Sequence, residues 1–379
     1  MSRAPFTFGR IAVRDDFVDR EEERARLLEN FSSGVNTTII SPRRWGKSSL
    51  VTMVAQDAAA ATPDVKVCQI DVFGVRNESE FYAQLATGVM KASASRWQEW
   101  GDFARRFLGA LRPKVSFSPE PMQEVSFELD WEDARRNPAE VLDLAENIAK
   151  AKGMRLVVCV DEFQSVAEFP ESLAFQRLLR SHWQRHQHVT YCLFGSKRHM
   201  LTEIFANPAM PFYRFGDIML LDKIGNQTWG DFIVRRFAET GKRISVADAC
   251  DLAGRVENHS YYVQQLAQQV WFRASPDAGS ETIDAALESL RDQLSLQFVG
   301  LAESLTSRQL RFLQAVVAGE TQLSGQSALK RYNLGTSANV SRIKEALVNR
   351  EIIDVVGPDV QILDPLFVYW LRTEFPHAE

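Results

Sequence analysis

The sequence predicts an α/β protein: a doubly wound parallel sheet, then a small helical domain, then a winged helix-turn-helix. Three observations carry that expectation. Five short apolar, partly β-branched runs alternate with helical patterns across residues 37–221, as βαβ units around a buried sheet do. The strand signal then stops, and residues 226–296 read as one helix after another. The chain finishes with three short helical segments and two apolar runs around Gly357-Pro358-Asp359, the order of elements in a winged helix.

Along the chain, the expected strands are residues 37–41 (TTIIS), 66–72 (KVCQIDV), 155–160 (RLVVCV), 189–194 (VTYCLF) and 217–221 (DIMLL). Runs this short and this continuously apolar suit strands covered on both faces. Helices are expected over 48–60, 79–93, 138–152 and 173–186. Residues 113–131 break the alternation: apolar and polar side chains alternate around Ser118-Pro119-Glu120-Pro121, which predicts a β-hairpin insertion. Nearby, Trp97, Trp100, Phe103 and Phe107 fall at helical spacing and read either as core or as a docking patch. The helical domain takes residues 226–240, 246–256, 261–272 and 283–296. The winged unit takes helices 307–318, 325–332 and 337–350, with wing strands at 352–356 and 360–363. The domain boundaries that follow are 1–225, 226–298 and 299–379.

Composition agrees with two or three folded domains: 379 residues, 45% hydrophobic and 25% charged. A net charge of −5 excludes a uniformly basic nucleic-acid coat protein and leaves room for a local basic face. Cys68, Cys159, Cys192 and Cys250 lack metal-ligand spacing, and three of them lie in apolar runs. They read as small buried hydrophobes in a reducing compartment. The N-terminal MSRAPFTFGRIAVRDDF has no apolar core of signal-peptide length. The expectation is a cytoplasmic protein with no membrane partner.

The chemistry concentrates in Ser41-Pro42-Arg43-Arg44-Trp45-Gly46-Lys47-Ser48. The run follows a predicted strand and precedes a helix, the context in which a G-x-x-x-x-G-K-[ST] loop wraps phosphates with its backbone N–H groups. The helix, opening through Ser49, adds its N-terminal dipole. Gly46 permits the backbone geometry, Lys47 places charge on the β- and γ-phosphates of ATP, and Ser48 offers a hydroxyl to Mg2+. Ser41 stands where the pattern has its first glycine. A residue before proline is pushed towards extended geometry, which suits the last residue of a strand. Arg43, Arg44 and Trp45 read either as nucleotide-pocket lining or as a solvated face.

Residues 157–162 (VVCVDE) supply the partner motif. Two carboxylates ending a buried strand are costly unless a cation or a water network uses them. Asp161 would bind Mg2+, and Glu162 would polarise the water that attacks the γ-phosphorus. That adjacency favours water over a metabolite as acceptor. The next strand ends at Phe194-Gly195-Ser196, which puts Ser196 in reach of the attacking water or γ-phosphate if the two strands are neighbours. Arg214, just before the fifth strand, is either a charge-stabilising arginine acting in cis or on a neighbouring subunit, or a surface ion pair. Arg198 competes for the same role. Upstream, Phe17 or Val18 would pack on an adenine face while Arg20 braces the site.

Together the blocks FVDREEERARLLENF, TTIISPRRWGKSSL, RLVVCVDEFQSV, CLFGSKRHML, PFYRF, VENHSYYVQQLA and ILDPLFVYWL resemble the archaeal/bacterial ATPase group in the STAND branch of AAA+-like P-loop ATPases. The resemblance spans nearly the whole chain. It implies a sheet in which another strand separates the acidic-motif strand from the phosphate-loop strand, then a helical lid and a C-terminal winged helix. By position it makes Lys47 and Ser48 the Walker A pair, Asp161 and Glu162 the Walker B pair, Ser196 a sensor and Arg214 an arginine-finger candidate. Where many relatives have Gly-x-Pro in the lid, this chain has Asn258-His259-Ser260. His259 then reads either as a phosphate contact or as a satisfied helix-start residue.

The functional expectation is an ATPase, turning ATP into ADP and phosphate, that works as a nucleotide-driven regulatory switch. The alternative is an ATPase whose winged helix binds duplex DNA through Lys330, Arg331, Arg342, Lys344 and Arg350. A third reading is a scaffold that binds ATP without hydrolysing it. A protein partner or a homo-oligomer is compatible with each.

Overall fold

The computed structural model describes residues 4–94, 103, 106–107, 114–116, 126–128 and 137–374. They form two compact units: Arg20–Asp222, and Met1–Asp19 together with Lys223–Glu379.

In the first unit, α1 (Glu21–Ser33) leads to β1 (Thr37–Ile40), α2 (Lys47–Ala61), β2 (Val65–Asp71) and α3 (Glu78–Ser93). Two three-residue antiparallel strands follow, β3 (Lys114–Ser116) and β4 (Ser126–Glu128). They are the expected hairpin, whose turn lies outside the described residues. Then come α4 (Pro138–Leu142), α5 (Leu144–Lys152), β5 (Arg155–Asp161), a 3-10 turn (Phe163–Glu168), α6 (Ser172–Trp183), β6 (Val189–Gly195), α7 (Arg198–Ala206) and β7 (Asp217–Leu220).

The five predicted strands make one sheet in the order β2-β5-β6-β1-β7, every neighbouring pair parallel. As the resemblance implied, β6 separates the acidic-motif strand β5 from β1. Side chains alternate along β5: Leu156, Val158 and Val160 join a core with α3, α5, α6 and α7, whereas Val157 and Cys159 are buried on the other face. That alternation explains why the β5 run carries no polar face, whereas the edge strand β2 exposes Lys66, Gln69 and Asp71. Cys68, Cys159 and Cys192 sit in this interior, where burial pushes the Cys68 thiol up to about 12.

Aromatic side chains fill the core below the sheet. Trp183 stacks on Tyr191 with centroids 4.1 Å apart, and Phe163, Phe205, Phe212 and Phe215 pack edge-on or tilted around them. Phe103 and Phe107 pack against this core too, as partly buried side chains, while Trp97 and Trp100 lie outside the described residues. The expected helix over 138–152 is two helices that meet at Asp143. There the carboxylate accepts from His182 Nδ1 at 2.7 Å and His186 Nε2 at 3.0 Å.

The second unit contains α8 (Asn226–Ala238), β8 (Arg243–Ile244), α9 (Val246–Arg255), α10 (Ser260–Arg273), β9 (Asp277–Ala278) and α11 (Ser280–Glu303). The winged-helix part follows: α12 (Ser307–Val317), α13 (Gln326–Arg331), α14 (Ser337–Asn349), the antiparallel wing β10 (Ile353–Val356) and β11 (Asp359–Ile362), and α15 (Pro365–Glu374). One apolar core runs through all of it. The 24-residue helix α11 crosses the expected boundary at 298, so the helical segment and the winged helix share a continuous element. Residues before Asp19, expected with the sheet, pack here instead. Phe6 is buried against Phe232 and Phe237, Val18 joins the same core, and Asp16 pairs with Arg236 at 2.7 Å.

α15 was not anticipated. Its N-terminus is prepared by Asp364, which accepts from the Leu366 and Phe367 N–H groups, and by Pro365 as the first helical residue. Among the described residues, no helix is long and apolar enough to cross a membrane.

Candidate nucleotide and catalytic site

Strand register brings the two motifs together. Ile40, the last residue of β1, lies opposite Gly195 of β6, and Val160 of β5 lies opposite Leu193. The chain therefore leaves β1, β5 and β6 at the same edge of the sheet, and the residues that follow, Ser41, Glu162 and Ser196, become neighbours.

The loop from Ser41 to Gly46 folds back over the start of α2. Ser41 is 1% exposed and continues the line of β1, as a residue before proline should. Gly46 has φ +97°, left-handed backbone that glycine adopts at little cost, and no atom lies within 4 Å of where its Cβ would be. Its conformation, not its space, demands glycine. α2 begins at Lys47, so the N–H groups of Lys47, Ser48 and Ser49 occupy its first turn, the positive end of the helix dipole. The buried Lys47 ammonium donates to the carbonyls of Ser41 and Pro42, both at 2.9 Å, which holds it across the loop.

Ser48 Oγ donates to Asp161 Oδ2 at 2.7 Å. A hydroxyl beside a carboxylate is a hard-oxygen pair that suits Mg2+, an ion commonly held by one or two protein oxygens plus substrate phosphates and water. Burial pushes the Asp161 carboxyl up to about 6, with the neighbouring Glu162 charge adding to it and the Ser48 hydroxyl and Lys47 opposing. A carboxylate this uncomfortable without a counter-charge is one that a divalent cation relieves.

Glu162 has left-handed backbone, φ +54°. Its Oε2 accepts from the Ser196 hydroxyl at 3.0 Å, from the Ser196 N–H at 3.3 Å and from Gln164 Nε2. Ser196, 5% exposed, in turn accepts from Arg43 Nε at 3.2 Å, and the Arg43 guanidinium lies 5.7 Å from the centre of the Phe73 ring. Ser41, Lys47, Ser48, Asp161, Glu162 and Ser196 thus converge, and Arg43 joins them from the loop. Arg44 is exposed with φ +65°, and Trp45 is half-buried.

Arg214 lies elsewhere. It is exposed over the Tyr213 ring, three residues before β7, and β7 runs parallel to β1 with Asp217 opposite Thr37. That places it at the N-terminal edge of the sheet, while the phosphate loop leaves the C-terminal edge, about 13 Å further along at ~3.3 Å per residue. Parallel topology therefore sets Arg214 apart from its own chain's phosphate loop, which leaves the neighbouring-subunit role and the surface ion pair of the sequence reading. Arg198 starts α7 directly after β6, on the site's own edge. His259 belongs to the other unit, where it is buried at the start of α10 with its ring against Tyr262.

Two contributors, Gln164 and Gly195, carried no residue-type signal. Gln164 is 2% exposed, and its Oε1 is buried without a hydrogen-bond partner. Gly195 makes room for it: a Cβ there would come 1.9 Å from Gln164 Oε1 and 3.2 Å from the Glu162 backbone. Arg20, expected near the loop, is 4% exposed and donates to the carbonyls of Trp45 in the loop and Asp222 beyond β7, which ties the two segments together.

Residues 296–373 match a family described as a probable winged helix domain. No curated protein matches the chain. Among solved structures, the Walker-type ATPase of Pyrococcus abyssi aligns over 97% of this chain and 99% of its own, with TM-score 0.67 and 18% identity. The Aeropyrum pernix ORC2 protein, solved in ADPNP and ADP complexes, aligns over 97% of this chain and 98% of its own, with TM-score 0.58 and 14% identity. At such identities the likeness is one of fold: a P-loop NTPase sheet with a C-terminal winged helix.

Proposed function

We propose that this chain binds ATP with Mg2+ and hydrolyses it, and that the cycle works as a regulatory switch. The observation that carries the reading is the convergence of Lys47, Ser48–Asp161 and Glu162–Ser196 at one sheet edge. Lys47 and the first-turn N–H groups of α2 hold the phosphates. Ser48 and Asp161 hold Mg2+, which when bound neutralises charge on the phosphate oxygens. Glu162 takes a proton from the attacking water; its Oε2 is occupied by Ser196 and Gln164, which leaves Oε1 for that proton. The likeness to nucleotide-dependent folds supports this reading.

The switch rests on an ATPase core joined in one chain to a winged helix. Lys47→Ala should abolish ATP binding and, with it, any ATP-dependent change in protease sensitivity of residues 299–379. An unchanged cleavage pattern with and without ATP in the wild type would remove the switch and leave the ATPase.

DNA binding is the second reading, favoured by exposed Lys330, Arg331 and Arg342 at α13 and α14. Arg350 is otherwise engaged, donating to the Ser304 carbonyl at 3.1 Å and hydroxyl at 2.5 Å. Residues 300–379 hold eight Lys/Arg and nine Asp/Glu, a net of −1. Three phosphate contacts would give a log–log salt slope of about −2.7. A duplex shift indifferent to salt, or none, ends this reading.

A further inference from the structure

Hydrolysis moves negative charge onto the oxygen between the β- and γ-phosphorus. The oxygen of water bonds to the γ-phosphorus while the bond from that phosphorus to the bridging oxygen breaks. The electron pair of the broken bond stays on ADP, and a proton of the water passes to Glu162. A cation beside the γ-phosphate at that moment lowers the barrier. Arg214 stands at the wrong edge of the sheet to serve its own site.

We propose that the charge-stabilising arginine is Arg43, carried in the phosphate loop itself, so that each chain completes its own site. This rests on reading residues 41–48 with Asp161 and Glu162 as a hydrolytic ATP site. Three observations support the assignment. Arg43 belongs to the loop that wraps the phosphates, so its backbone is positioned by the substrate it would serve. Its Nε donates to Ser196 Oγ at 3.2 Å, and that hydroxyl donates to Glu162 at 3.0 Å, which puts the guanidinium two hydrogen bonds from the base. The third is Phe73, 63% exposed, whose ring lies 5.7 Å from the guanidinium and steadies it from the solvent side.

The geometry also explains why the residue is arginine. A guanidinium is a planar fork that can keep Nε on Ser196 while other donors meet phosphate oxygen. Lysine offers one ammonium and would have to choose. Accepting from Arg43 also turns the Ser196 hydroxyl proton towards Glu162, so one side chain both sets the base and meets the charge.

The test compares wild type, Arg43→Ala, Arg43→Lys, Arg198→Ala, Arg214→Ala and Glu162→Gln, all full length. Steady-state phosphate release gives kcat and KM, a fluorescent ATP analogue gives binding, and trapping of ADP with aluminium fluoride reports transition-state affinity. Arg43→Ala should lower kcat about 1,000-fold or more, keep ATP affinity within a few-fold, and lose the ADP–aluminium fluoride complex. Arg43→Lys should recover only a small part of kcat. Arg198→Ala and Arg214→Ala should stay within about twofold of wild type, and activity per chain should not change with protein concentration. An Arg43→Ala variant with near-normal kcat overturns the proposal. So does one that loses ATP binding, or transfer of the defect to Arg198 or Arg214, or activity per chain that rises with concentration. If wild type releases no phosphate, or Glu162→Gln releases as much, the hydrolytic reading itself has failed.

Discussion

Gln164 shows what a single residue contributes that its type does not announce. Lys47, Ser48, Asp161 and Glu162 were legible because phosphate and metal chemistry demands those groups at those spacings. Gln164 acts by reaching back to a carboxylate two positions away, through the gap left by Gly195. No spacing rule distinguishes it from an ordinary helix-start glutamine. Gln164→Leu should keep ATP binding and lower kcat about 10- to 100-fold, the effect of losing one hydrogen bond of ~1.5–3 kcal/mol to a charged group. Gly195→Ala should give the same phenotype by displacing Gln164, checked by the same phosphate-release and ATP-binding assays. Gly46→Ala belongs here too: an L side chain at φ +97° costs about 1–2 kcal/mol, read as a lower midpoint in denaturant. The edge on which Arg214 stands was hidden for a different reason. The residue's place just before a strand was visible, but which edge of the sheet that strand starts from is set by parallel pairing.

Strands were the most legible elements, because continuous apolar runs of four to seven residues between helical patterns have few alternatives. Helix ends and breaks were less so. The division of α4 from α5 turns on Asp143, whose two histidine partners come from the end of α6 and the loop after it, some forty residues away. Burial works against the Asp143 charge, yet the His186 and His182 hydrogen bonds hold its carboxyl below the usual range. A lowered folded value means the stabilisation is present above the unfolded pKa, near 4, and is lost as pH falls through the folded one. Asp143→Ala should therefore cost about 1 kcal/mol at pH 7, solvent screening of a partly exposed group included. Its deficit against wild type should shrink below about pH 4 in denaturant titrations. α15 escaped notice because ten mostly apolar residues read equally as strand or helix. Its helix-start devices, Asp364 and Pro365, belong to the wing's exit as much as to a helix.

At the scale of the molecule, the chain's order does not follow its packing. The first nineteen residues join a unit whose remaining residues begin at Lys223, and no periodicity in so short a segment could announce that. Phe6→Ala should destabilise that unit by about 3 kcal/mol, the cost of deleting a buried aromatic, seen as an earlier thermal transition. The helical segment after the sheet and the winged helix were legible as helical patterns, whereas their shared helix α11 was not, because a long amphipathic run carries no mark of a domain boundary. A hydrolytic ATP site at the edge formed by β1, β5 and β6 is read out by phosphate release from ATP with Mg2+, measured beside ATP binding for wild type and Glu162→Gln. Wild type should release phosphate, and Glu162→Gln should bind ATP as tightly while releasing almost none. Equal release by the two proteins, or no ATP binding by either, would contradict a hydrolytic site there.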